Sequence, residues 1–176
     1  AISTSASVTV TKPTGVVAGD LMIANVSNYC SGCSQTNAVL SGWTLIAGTD
    51  TDRGRASLLY KIAGASEPAS YAFAVTATSN AATGAIVAFS GVNNTTPFDN
   101  FALASLPLTW YTATSATMSQ IPSVTTANNN SALVMFGNVS RVTSTANANY
   151  VNDSWSTATF GALTELYDRG HDGVTT

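Results

Sequence analysis

Apolar residues in this chain come in short runs, and each run is closed by a cluster of Gly, Pro, Asn, Asp or Ser. That punctuation is the strongest constraint on the fold. A helix of ordinary length needs ten or more residues of unbroken 3.6-residue period, and no segment supplies them. The runs at residues 5–10, 21–26, 43–46, 56–62, 71–76, 84–89, 121–125, 133–139 and 160–167 are strand length. Residues 71–76 put large side chains on one face and small ones on the other, while 21–26 and 84–89 are nearly continuous and read as buried strands. Turn clusters separate the runs: Lys12-Pro13-Thr14-Gly15, Gly64-Ala65-Ser66-Glu67-Pro68, Asn93-Asn94-Thr95-Thr96-Pro97 and Asn128-Asn129-Asn130. About nine strands at this spacing predict an all-β fold, a single β-sandwich of Greek-key or jelly-roll type over residues 1–176. Residues 98–120 are irregular and read as a long excursion.

Composition supports the same class. Ser, Thr and Asn make up 61 of 176 residues and Ala adds 27, whereas charged residues are only 9%. Thr favours strands, Asn and Ser favour turns, and the long helix formers are scarce. A formal net charge of -3 and a pI near 4.7 exclude a nucleic-acid binder built on a basic face, an electrostatic membrane binder and a Glu/Lys-rich coiled coil. No apolar run reaches the roughly 18 residues of a membrane span, so no membrane insertion is expected. A Ser/Thr/Asn/Ala-rich, Lys-poor chain is common among secreted and cell-surface proteins. Ala1-Ile2-Ser3-Thr4 fits a mature start left by cleavage at a small-residue site.

Two cysteines, Cys30 and Cys33, stand in Tyr29-Cys30-Ser31-Gly32-Cys33-Ser34. Zinc would need a second pair or histidines, and His171 is the single histidine. A c-type haem would need His where Ser34 stands, and a redox dithiol would need a βαβ setting. A small loop disulfide in an oxidising compartment is the remaining reading.

The second half echoes the first. Val8-Thr9-Val10 followed by Asp20-Leu21-Met22-Ile23-Ala24-Asn25-Val26-Ser27 has a counterpart in Val124-Thr125-Thr126 and Ala132-Leu133-Val134-Met135-Phe136-Gly137-Asn138-Val139-Ser140. Trp43-Thr44-Leu45-Ile46 with Asp52-Arg53-Gly54 has one in Leu163-Thr164-Glu165-Leu166-Tyr167-Asp168-Arg169-Gly170. Three strands follow the first Asp-Arg-Gly and only six residues follow the second, so the echo predicts an incomplete second half.

The combination Gly19-Asp20-Leu21-Met22-Ile23-Ala24, Ser41-Gly42-Trp43-Thr44-Leu45-Ile46, Leu59-Tyr60-Lys61-Ile62-Ala63-Gly64-Ala65-Ser66-Glu67-Pro68, Phe89-Ser90-Gly91-Val92 and Thr96-Pro97-Phe98-Asp99 resembles secreted β-sandwich modules of bacterial surface proteins and of phage tail or fibre proteins. The resemblance covers residues 8–99 well and 130–170 loosely. It implies an extracellular, non-catalytic, structural or adhesive part, and it brings no catalytic residues.

Candidate chemistry is sparse. Only Glu67, in a turn, and Glu165, in an expected strand, are glutamates, and nothing in the sequence sets them about 5–9 Å apart as glycoside hydrolysis requires. His171 lies five residues from the end of the sequence, a poor place for a triad base. No cofactor is expected. Calcium fits better than zinc: Asp50 and Asp52, and Asp168 with Asp172, offer hard oxygens, although Asp also stabilises tight turns by itself. Trp110, Tyr111, Tyr150 and Trp155 sit in polar surroundings where aromatic faces could stack on sugar rings, or be half buried under a loop. Asn25, Asn93, Asn94, Asn129, Asn138 and Asn152 begin Asn-x-Ser/Thr triplets, several of which arise by chance at this composition.

The expected function is therefore a non-enzymatic structural subunit of an extracellular filament, pilus-like appendage or fibre, with other copies of itself as partners. A carbohydrate-binding or adhesion module is the alternative. An incomplete sandwich leaves a groove or edge that a neighbour's strand can fill. Residues 1–10 are charge-free and alternating, with Lys12-Pro13 as a hinge, and are the expected donor.

Overall fold

The computed structural model describes residues 2–3, 6–29, 38–50, 54–75, 81–99, 125–128, 131–132, 134 and 136. All regular structure among them is β: β1 Ile2–Ser3, β2 Ser7–Thr11, β3 Leu21–Tyr29, β4 Thr44–Asp50, β5 Gly54–Ile62, β6 Ser70–Ala74 and β7 Ala81–Phe89. Five strands form one antiparallel sheet in the order β1-β7-β3-β5-β4, and β2 and β6 form a second antiparallel pair. Two packed antiparallel sheets make the all-β, sandwich-like architecture that the runs predict.

Six of the seven strands coincide with predicted runs, and their ends differ for a common reason. β3 continues beyond the apolar run through Ser27, Asn28 and Tyr29, although Ser and Asn favour turns, because pairing with both β5 and β7 gives the backbone partners on both sides. The Asp50 and Gly54 ends of an expected turn are likewise paired, Asp50 with Arg55 of β5 and Gly54 with Tyr29 of β3. β1 is two residues long and leaves no period to read. The expected strands at 121–125, 133–139 and 160–167 fall largely or wholly outside the described residues.

The core lies between the sheets. Val8 and Val10 of β2 and Tyr71 and Phe73 of β6 alternate with exposed neighbours, so the small sheet is apolar on one face only. They meet Met22, Ala24 and Val26 of β3, Leu59 of β5 and Ala82 of β7. Trp43 enters this core after Gly42, whose φ of 82° is in the left-handed region that glycine tolerates. Its ring meets Tyr71 and Phe73 edge-on, with centroids 5.1 and 5.2 Å away.

β3 is buried on both faces. Leu21 and Ile23, on the side away from β2 and β6, are as buried as Met22 and Ala24, which explains why this run lacks polar alternation. On that outer side Tyr60 of β5 meets Phe98 edge-on at 4.9 Å.

Segment 38–40 extends the small sheet. Val39 exchanges both backbone hydrogen bonds with Ala74 of β6, at 3.2 Å each. The adjacent Ala38 amide donates to the fully buried Ser57 hydroxyl at 2.9 Å, which gives that polar side chain a partner.

Candidate functional site

Among the described residues, hydrogen-bonded polar side chains gather most densely at two places. The first is the crossing from β5 to β6, where the chain leaves the large sheet for the small one. Glu67 folds back over it: Oε1 accepts the Gly64 amide at 2.6 Å, and Oε2 accepts Lys61 Nζ at 2.7 Å and Tyr71 Oη at 2.6 Å. Lys61 belongs to β5 and Tyr71 to β6, so a single carboxylate joins the two sheets and their connecting turn. Lys61 Nζ also lies 5.7 Å from the Tyr71 ring centroid. The Glu67 side chain is 6% exposed.

Burial alone would raise the Glu67 pKa. The Gly64 amide, the Lys61 ammonium and the Tyr71 hydroxyl together outweigh it and hold the carboxyl at about 2. Burial and the neighbouring carboxylate push the Tyr71 phenol upward. A carboxylate held ionised by three donors is a clamp. It has no proton to give as a general acid and little basicity as a general base.

The second place is Asp99, beyond the end of β7. Its Oδ2 accepts the Ala127 amide at 2.8 Å, the Asn128 amide at 3.0 Å and the Ser131 hydroxyl at 2.9 Å, and its Oδ1 accepts Asn128 Nδ2 at 2.5 Å. The Asn128 amide lowers its pKa most, burial opposes that, and the Ser131, Asn128 side-chain and Ala127 donors add to the lowering.

The sequence candidates fare unevenly. Asp50 closes β4 opposite Arg55, and Asp52 lies outside the described residues. Among the described residues no three His, Cys, Asp or Glu side chains are grouped to hold a metal. Asp168 and Asp172, Cys30 and Cys33, Glu165 and His171 fall outside the description. So do the aromatic residues Trp110, Tyr111, Tyr150 and Trp155, and Asn129, Asn138 and Asn152. Of the remaining triplet asparagines, Asn25 is half-buried in the middle of β3, paired on both sides. Asn93 uses its Oδ1 to accept the Thr95 and Thr96 amides at 3.0 and 3.2 Å, an Asx turn, and Asn94 is exposed beside Gly19. No helix among the described residues is long and apolar enough to cross a membrane.

Sequence reading placed Glu67 in a turn and missed the clamp. The available signal was a basic residue six positions before it and a tyrosine four positions after it, flanking a β-turn-β crossing. Asp99 carried no local signal at all, because its partners lie 28 to 32 residues downstream. No family model, curated protein or solved structure matches the chain.

Proposed function

We propose that this chain is a non-enzymatic structural subunit of an extracellular filament, pilus-like appendage or fibre, whose copies join by exchanging the N-terminal strand. The reading builds on the seat of residues 2–11, which in the single chain pair with their own β7 and β6, so polymers require that seat to be exchanged between copies. β1 pairs with β7 at the edge of the large sheet, and β2 pairs along five residues with β6 in the small one. This one charge-free segment therefore lies at an edge of both layers and fills the core with Val8 and Val10.

Within a single chain the segment occupies its own seat. A terminal segment at a sheet edge can occupy the same seat in a second copy without altering the rest of the fold, and head-to-tail exchange produces open polymers when the rotation does not close. Lys12-Pro13-Thr14-Gly15 follows β2 as a hinge, and Gly15 has a φ of 82°. In this reading the complete sandwich has the nine strands of a Greek-key or jelly-roll fold, the compartment is oxidising, and Cys30 and Cys33 form a disulfide.

The test is sedimentation velocity and electron microscopy of the full chain and of a chain lacking residues 1–10. Polymers from the full chain, and soluble, less stable monomers from the truncated one, are expected. Native polymers from the truncated chain overturn the reading. Glycan-array binding by monomers that never polymerise would establish the adhesion module in its place.

A further inference from the structure

Asp99 receives four hydrogen bonds, and all four partners are donors: two backbone amides, a side-chain amide and a hydroxyl. An ionised carboxylate is acceptor-only and suits this set. Protonation turns one oxygen into a donor that faces donors. The neighbouring residue ties the site to the sandwich, since Phe98 packs edge-on against Tyr60 of β5. The partners are Ala127, Asn128 and Ser131, so these bonds span 28 to 32 residues of chain.

We propose that Asp99 is an acid-released latch, holding Ala127, Asn128 and Ser131 against the segment that follows β7 while its carboxylate is ionised and letting go when it is protonated. The released side chains have alternatives. Ser131 Oγ already lies 3.1 Å from the Asn128 carbonyl, and the site is exposed, so the freed amides can turn to water. Among the described residues the side chains on Asp99 are the neutral Asn128 and Ser131, and Phe98 contacts Tyr60 of β5, a strand that also carries Arg55 and Lys61.

The sign follows from the direction of the shift. The donors depress the Asp99 pKa below the ordinary aspartate value of 3.8. The latch is therefore closed above that value and opens as pH falls through the depressed one.

Amide hydrogen exchange of the full chain, followed by NMR at Ala127 and Asn128, tests this. Both amides should be protected at pH 6, with protection falling by about tenfold or more once the Asp99 carboxyl protonates, while the Val26 and Leu59 amides of the central strands keep theirs. Asp99→Asn should show the same loss at pH 6, and this variant keeps the test valid if acid also loosens the sandwich. Ser131→Ala should give an intermediate loss. Protection retained in Asp99→Asn at pH 6, or retained in the unaltered chain at a pH where carbon-13 NMR shows the Asp99 carboxyl to be protonated, overturns the proposal.

Discussion

Gly84 of β7 lies directly against Val10 of β2: a Cβ at position 84 would come within 2.7 Å of Val10 Cγ2 and 3.5 Å of Val8 Cγ1. The backbone of the large sheet approaches the small one here more closely than any side chain allows. Glycine is therefore required by space and not by backbone angle. Gly84→Ala should destabilise the fold by about 1–3 kcal/mol through overpacking. Val10→Ala removes the obstructing methyl groups and leaves a cavity of its own. The double variant should accordingly be more stable than the sum of the two losses implies, by about 1 kcal/mol. Urea denaturation of the four proteins measures the coupling, and strict additivity would show that the contact relaxes freely.

The Glu67 clamp predicts a pH dependence. Folding depresses this pKa from 4.5 to about 2. A group depressed on folding contributes stability above its unfolded value and loses it as pH falls toward its folded value. Stability should therefore decline between pH 4.5 and about pH 2, and Glu67→Gln should flatten that decline. At neutral pH the same substitution should cost about 1–3 kcal/mol, because Gly64, Lys61 and Tyr71 lose a charged acceptor. Denaturation midpoints at pH 7, 4.5 and 2.5 for both proteins test the sign and the size. An unchanged acid profile in the variant would place the titrating group elsewhere.

Trp43 separates packing from hydrogen bonding. The residue is 9% exposed and its ring is wedged against Tyr71 and Phe73, whereas its indole Nε1 is buried with no hydrogen-bond partner among the described residues. Trp43→Phe removes a donor that is already unsatisfied, so the loss should stay below about 1.5 kcal/mol. Trp43→Ala removes the wedge itself and should cost about 3–5 kcal/mol. Similar losses for the two variants would mean that the indole nitrogen is bonded in solution.

The local features were legible, and the features that depend on partners across the fold were not. The apolar run 21–26 announced a strand buried on both faces, and Tyr71 with Phe73 announced a half-buried one, because side-chain period follows from the pleat of a single strand. The significance of Gly84 was hidden. It reads as the start of an apolar run, and only the packing of β2 over β7 shows that a methyl group has no room. Glu67 looked like a turn residue because Glu-Pro ends a ladder, yet its partners sit on strands of two different sheets. β3 reached Tyr29 because long-range pairing outweighed the turn preference of Ser27 and Asn28.

The exchange proposal predicts more than a truncation phenotype, because the seat of β2 should be a peptide-binding groove once emptied. In a chain lacking residues 1–11, β6 loses its partner along five residue pairs, and the space over Gly84 that Val8 and Val10 fill is opened. An added peptide of residues 1–11 can restore both at once, supplying backbone hydrogen bonds to β6 and two valines to the core. Register is fixed because a one-residue slip would turn Val8 and Val10 to solvent and put Thr9 inside. The peptide should therefore raise the melting temperature of the truncated chain in proportion to the logarithm of its concentration once it exceeds its dissociation constant. A peptide carrying Val8→Asp and Val10→Asp should have no effect, and one carrying Thr9→Asp, on the exposed side of β2, should retain most of it. If the unaltered peptide fails to stabilise a truncated chain that is otherwise folded, the seat cannot be filled from outside, and strand exchange between copies fails with it.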